Sequence, residues 1–247
     1  MPCLNNSSEH NSLKKKWTEK LLELIFPERC LFCHAISPSE EWQPFCHSCR
    51  KSYSSLGIIC PVCESIDLGV KQCKCGSPAE SIKKLFALSG YEGKWRLLLH
   101  DLKYKKKKHL ARPLGNLLGY ELLKKNFMRA DFLAPVPLHH RREKDRGFNQ
   151  SALIAGYAAK ALNTPCIPLL SRLKDTVSQT TITRYERRSN VRGAFECIDQ
   201  SCKGKKVLLI DDIYSTGSTM NEAARTLRKS GAEVFGAVIA YNFRNSL

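Results

Sequence analysis

The sequence predicts an open α/β sheet, mostly parallel and with helices on both faces, behind a small cysteine-rich metal module. Three observations carry that expectation. Residues 205–220, KKVLLIDDIYSTGSTM, read as a short aliphatic strand, a hydroxyl-rich turn and a helix start. From about residue 84 onward, strand patterns and helical periodicities alternate, which is the order that builds a parallel sheet. Eight cysteines between residues 30 and 75 fall in close pairs, three as C-x-x-C and one as C-x-C.

The length of 247 residues suffices for one full α/β core and a smaller appendage. The formal net charge is +17, and it is unevenly placed. Residues 1–80 hold nine basic and nine acidic side chains, so the whole excess lies in residues 81–247. A polyanionic partner is therefore expected for the larger part, and 17 charges exceed the needs of one small ligand. A solvated basic face accounts for part of the same excess. No apolar run approaches the length of a membrane span, and the polar N-terminus lacks a signal-peptide core. A cytoplasmic protein is the expectation, and twelve cysteines suit that compartment when they hold metal or stay reduced.

In chain order, residues 1–12 read as disordered. Residues 13–26 place Leu13, Trp17, Leu21, Leu24 and Ile25 on one helical face, which Pro27 ends. Docking of that helix on its own domain is the simplest use. Residues 13–80 form the expected first module. Cys30, Cys33, Cys46 and Cys49 have the spacing of a tetrahedral zinc site, each C-x-x-C turn putting two thiolates on one side of a tight loop. Cys60, Cys63, Cys73 and Cys75 suggest a second site, although C-x-C is tighter than the usual knuckle. Interleaved pairing, or a ligand role for His34 or His47, also fits. The competing redox use of C-x-x-C normally involves one motif in a thioredoxin-like fold, not a tandem. Four-thiolate sites are closed, so such zinc is structural. Cys3, Cys166, Cys197 and Cys202 receive no role.

The second domain is expected at residues 84–243. Residues 85–91 read as a strand and 94–103 as a helix, which runs into lysines 103 and 105–108 around Tyr104. That run is either a solvated helix end or a patch for pyrophosphate or nucleic acid backbone, with Tyr104 available for stacking. A further helix is expected at 110–125 and a strand at 131–135. The next stretch, VPLHHRREKDRGFNQ, is expected to be a loop. Its Arg141, Arg142 and Arg146 can each offer phosphate a planar fork of donors. Residues 151–162 are Ala-rich and helical. Residues 177–195 lack periodicity and carry four arginines, among them Arg187, Arg188 and Arg192, as a cover over a site would. The last strand is expected at 233–241.

In the organising stretch, the strand is read at residues 207–210 and the helix at about 220–229. Ser215, Thr216, Gly217, Ser218 and Thr219 form a turn whose amides and hydroxyls suit a phosphate beside a helix start. Asp211 and Asp212 cannot take that phosphate. They can accept hydrogen bonds from vicinal sugar hydroxyls or hold a divalent metal. A phosphorylated ribose satisfies both halves of the motif.

The segment resembles the phosphoribosyl-pyrophosphate (PRPP) signature of type I phosphoribosyltransferases: apolar strand, two acids, two spacers and a Thr-Gly loop. PVPLHHRR…RGFNQS, SQT…RRSNVRGAF and VLLIDDIYSTGSTM, in that order behind a cysteine ribbon, further resemble the ComF competence proteins, including GntX-like members, over about residues 21–241. The resemblance implies a double zinc ribbon fused to a type I phosphoribosyltransferase fold, Rossmann-like with a hood, and a role in uptake of transforming DNA. It implies displacement of pyrophosphate from PRPP by a nitrogen acceptor, with Mg²⁺. Asp211 and Asp212 would engage the ribose hydroxyls, directly or through the metal, and residues 215–219 would cradle the 5-phosphate. Arg141, Arg142, Arg146, Lys103 and Lys105 would hold pyrophosphate, while Arg187, Arg188 and Arg192 would close over the site. Hypoxanthine-type relatives carry an acid where this chain has Ser215, which argues against a hypoxanthine- or guanine-like acceptor. Two other uses of the same fold stay open. One is PRPP sensing or single-stranded DNA binding without turnover. The other is a zinc-ribbon adaptor docking on DNA or a helicase-like partner.

Overall fold

The structure is a computed structural model and describes residues 29–36, 44–60, 62–63, 65–67, 81–175 and 191–243. The expectations for residues 1–12 and 13–26, for Cys73 and Cys75, and for Arg187 and Arg188 lie outside these residues. The chain divides into two compact units, with the boundary between Tyr53 and Ser54.

In the smaller unit, a turn at residues 31–33 follows Cys30, and α1 (His47–Lys51) follows Cys46. The amide of Leu31 donates to the carbonyl of Pro44 (2.8 Å), which ties one cysteine turn to the other. Phe45 is buried and lies 4.4 Å from Phe32 and 5.1 Å from Tyr53 between ring centroids.

The larger unit is built on a six-stranded sheet. Its strands are β1 (Gly57–Ile59), β2 (Ile66–Asp67), β3 (Leu85–Gly90), β4 (Phe132–Pro135), β7 (Lys206–Tyr214) and β8 (Glu233–Tyr241), ordered β2-β1-β3-β8-β7-β4. β3, β8, β7 and β4 run parallel, and the β1–β2 hairpin adds antiparallel to β3. β1 and β2, which fall within the stretch read as the cysteine module, thus extend the main sheet. Two further strands, β5 (Leu170–Arg172) and β6 (Phe195–Cys197), pair antiparallel in a sheet of their own.

Helices cover both faces. α2 (Gly93–Tyr104) follows β3, and α3 (Ala111–Lys124) follows it after a single 3-10 turn. α4 (His140–Arg146) and α5 (Gln150–Leu162) follow β4, and α6 (Ser218–Lys229) joins β7 to β8. α6 buries Met220, Ala223, Ala224 and Leu227 against Val207, Leu209, Val234 and Val238. Strand alternation turns Leu208, Ile210, Ala237 and Ile239 to the other face, where α3 and α5 pack. Those two helices approach closely because α5 is rich in alanine and α3 carries glycines at the contact. A Cβ on Gly115 would lie 2.6 Å from the Ile154 carbonyl oxygen, and one on Gly119 2.6 Å from Ala161 Cβ.

Two boundaries differ from the sequence reading, and both shape the site. β7 does not stop at Ile210 but pairs with β8 through Tyr214, so both aspartates lie inside the strand. The stretch after β4, expected as a loop, contains the helix α4, which Gly147 ends at a φ of 82°. His139 caps that helix by accepting the amide of Arg141, and this local pairing is invisible to periodicity.

Candidate functional site

β4 and β7 pair only as far as Pro135 and Ile210, and the amide of Val136 makes the last bond to β7. Pro135 and Pro137 bracket that point, and neither can donate to a ladder. Past it, β7 runs on without its neighbour. Asp211 and Asp212 occupy this overhang, at the C-terminal edge where open α/β sheets place their ligands.

The two carboxylates engage different elements. Asp211 Oδ1 accepts from Ser151 Oγ at the start of α5 (2.7 Å) and from the amide of Asp212 (2.9 Å). Asp212 is buried and its Oδ2 lies 2.7 Å from Lys103 Nζ near the end of α2. Burial and the charge of Asp212 push the Asp211 carboxyl up to about 7. For Lys103, burial disfavours the ammonium, but the charge and hydrogen bond of Asp212 outweigh it and hold Lys103 above its usual value.

The expected turn is divided: residues 215–217 bend, and Ser218 and Thr219 already belong to α6, which starts two residues before the sequence reading. Gly217 has a φ of 74°, and a Cβ there would lie 2.2 Å from Tyr214 Oη, so only glycine fits. Thr216 Oγ1 and Ser218 Oγ lie 2.8 Å apart, and the amide of Asn221 closes the first helical turn on Gly217 (2.8 Å). Among the described residues, the amides of Ser215, Thr216, Gly217 and Thr219 make no hydrogen bond. A turn with unpaired amides beside a helix start is a ready anion cradle.

The predicted cations separate into groups. Arg146 donates to Gln150 Oε1 and stacks 5.9 Å from the Tyr104 ring, and its charge acts on Lys103. Lys103 and Arg146 thus share the α2 side of the aspartates. Arg142 instead pairs with Asp175 (3.3 Å), Arg141 is exposed, and Lys105 is tied to Asp101 (2.9 Å). Arg192 is exposed, and its carbonyl accepts from Lys174 Nζ (2.9 Å). Neighbouring Gly193 donates its amide to Glu222 (2.6 Å).

Sequence reasoning gave no role to Ser151, Asn149 or Arg172. Asn149 caps α5, accepting the amides of Ser151 and Ala152, and its Nδ2 donates to the Val136 carbonyl (3.1 Å). It sets Ser151 against Asp211. An Asn one residue before an Ala-rich helix was the available signal. Arg172 ends the short β5, a strand with no periodicity to betray it.

In the smaller unit, the sulfurs of Cys30, Cys33, Cys46 and Cys49 lie within 4.8 Å of one another. Zinc–sulfur bonds of about 2.3 Å imply tetrahedral edges of about 3.8 Å, so the set fits zinc with slight contraction. Burial alone would raise Cys30, but hydrogen bonds from the backbone at Cys46, Cys33 and Phe32 bring it down to about 6. Neither histidine joins the cluster. Cys60 and Cys63 lie in the segment from β1 to β2, and their expected partners Cys73 and Cys75 lie outside the described residues.

The family model of the phosphoribosyl transferase domain matches residues 151–246. The chain is similar to DNA utilization protein YhgH of Salmonella typhi, 28% identical over 217 residues covering 85% of this chain and 94% of that protein. It is similar to competence protein F of Haemophilus influenzae, 28% identical with the same two coverages. Against competence protein ComFC of Bacillus subtilis it is 25% identical, over 82% of this chain and 89% of the other.

Proposed function

Starting from a chain that carries a phosphoribosyl transferase domain and is homologous to competence proteins F and ComFC, we propose that it binds PRPP and transfers its phosphoribosyl group to a nitrogen acceptor. The observation that supports this best is the placing, along one strand overhang and the turn after it, of two aspartates and four amides that make no hydrogen bond among the described residues. The 5-phosphate lies on Ser215, Thr216, Gly217, Ser218 and Thr219. Asp211 and Asp212 accept hydrogen bonds from the ribose hydroxyls, and Asp212 exchanges its bond to Lys103 for one to the sugar. Lys103, so released, turns with Arg146 toward the pyrophosphate.

The ribose centre becomes oxocarbenium-like as pyrophosphate leaves, so catalysis consists of holding the sugar and meeting charge on the leaving group. The carboxylate oxygens of the overhang suit a hard cation, and Mg²⁺ bound with PRPP would neutralise the departing pyrophosphate. Both aspartates also stabilise positive charge developing on the ribose. The relatives' names place them in competence and in utilisation of DNA, and we place this chain in the same process.

Calorimetry with PRPP and Mg²⁺ tests the reading. Wild type is expected to bind, and Asp211→Asn/Asp212→Asn to bind at least about tenfold more weakly, since two charge-acceptor hydrogen bonds are lost. Equal affinity of the two would end the assignment. Pyrophosphate release across a panel of bases and nucleotides then identifies the acceptor.

One observation favours a second, compatible activity. The +17 charge lies wholly outside residues 1–80, and the exposed ring of Tyr104 sits within the lysine run. Single-stranded DNA is expected to bind there with a steep salt dependence, log affinity falling by about 0.7 per phosphate neutralised for each log unit of salt. A flat salt profile would rule it out.

A further inference from the structure

Backbone hydrogen bonds alone do not shape the bend at residues 215–217. The amides of Ser215, Thr216 and Gly217 make no hydrogen bond among the described residues, and the backbone is fastened at the two ends of the bend. On one side the Tyr214 carbonyl accepts from the Asn242 amide (2.8 Å), and on the other the Gly217 carbonyl accepts from the Asn221 amide (2.8 Å). Amides gathered toward one spot leave a positive concavity, which something else must keep open until an anion arrives.

Side chains packed against the bend can do this. β7 and β8 pair in register as far as Tyr214 and Tyr241, whose buried rings stack 5.1 Å apart with 11° between their planes. That stack fixes the Tyr214 ring with its hydroxyl against the bend, where a Cβ on Gly217 would overlap both Tyr214 Oη and Asn221 Nδ2. Asn221, in the first turn of α6, donates from Nδ2 to Tyr214 Oη (3.1 Å). Its Oδ1 accepts from Ser81 Oγ (3.0 Å), in the chain that leads into β3. Ser81 is buried, and two residues further on the Lys83 amide donates to the Val234 carbonyl in β8 (2.9 Å). One relay of side chains thus joins three distant segments of the sequence at the glycine of the bend.

We propose that Tyr214 and Asn221, anchored by Ser81, are positioning residues for the 5-phosphate: their hydrogen bond holds the bend in its anion-accepting shape before the ligand arrives. Neither side chain needs to touch the phosphate. A preformed bend spares the ligand the cost of ordering it. The relay therefore contributes to affinity for the sugar phosphate and not to affinity for pyrophosphate at Lys103 and Arg146. The inference rests on the transferase reading and deepens it, assigning the shape of the phosphate site to side chains outside the 215–219 motif or at its edge.

Calorimetry tests this with three probes: ribose 5-phosphate, pyrophosphate with Mg²⁺, and PRPP with Mg²⁺. The proteins are wild type, Tyr214→Phe, Asn221→Ala and the double variant, with thermal unfolding reporting that each folds. Each single variant is expected to bind ribose 5-phosphate about fivefold more weakly, the worth of one hydrogen bond, and pyrophosphate as wild type does. Because the two residues act through one bond, the double variant should be about as weak as either single one, not about twenty-five-fold weaker. The proposal fails if the single variants hold ribose 5-phosphate as tightly as wild type, if pyrophosphate weakens by the same factor, or if the two effects add. A wild type that holds ribose 5-phosphate through Tyr214 and Asn221 yet does not bind PRPP would overturn the transferase reading and leave the relay standing. A wild type that binds neither ends both.

Discussion

Asp211 shows at the residue scale what the proposed site costs the fold. Its carboxyl is raised to about 7 by burial and by Asp212, whereas an unfolded aspartate titrates near 3.9. Below about pH 4 the group is protonated in both states and contributes no pH dependence. Between about pH 4 and 7 the unfolded chain ionises first, so stability falls as pH rises, and the loss levels off above the folded value. The full effect is on the order of 4 kcal/mol at most, shared with the neighbouring Asp212 and Lys103. Asp211→Asn keeps an acceptor for Ser151 Oγ and removes the charge. It is expected to melt higher than wild type at pH 8 and nearly alike at pH 4. A melting difference that does not grow with pH would show that the buried charge is not the cause.

At the element scale, α5 is the helix that matters, because its first turn holds Ser151 against Asp211 and its middle packs on α3. Gly115→Ala weighs two effects against each other. Alanine in a helix interior gains about 1 kcal/mol over glycine. Against this, the new Cβ would sit 2.6 Å from the Ile154 carbonyl oxygen and 2.6 Å from Tyr157 Cβ, and the former is backbone that cannot rotate away. Overpacking of this kind costs about 1–3 kcal/mol, so net destabilisation of roughly 1 kcal/mol is expected by chemical denaturation. A neutral or stabilised variant would show that the two helices separate freely.

At the scale of the whole molecule, the two units rest on different forces. The larger has a sheet whose central strands are buried on both faces. Among the described residues of the smaller, Phe32, Phe45 and Tyr53 cluster and four sulfurs converge. Zinc should therefore be a folding ligand for the smaller unit. Cys33→Ser/Cys46→Ser is expected to lose one zinc per chain by elemental analysis, and a stoichiometry unchanged from wild type would sink that site. A second equivalent in the wild type would belong to the set Cys60, Cys63, Cys73 and Cys75. Among the described residues, no helix is long and apolar enough to cross a membrane.

Much was legible in the sequence because it is written in local chemistry. Cysteine spacing gave the first metal cluster, aliphatic runs gave β3, β4, β7 and β8, and the order of acids, hydroxyls and Gly217 gave the turn beside the aspartates. Three-residue strands and a seven-residue helix left no period to read, so β5, β6 and α4 were missed. Which cation faces which anion belongs to no local pattern. Lys103 reaches Asp212, Lys105 turns back to Asp101 and Arg142 goes to Asp175. Charges separated by scores of residues meet only when the sheet order brings their strand ends together, and that order was decided by packing, not by any one segment.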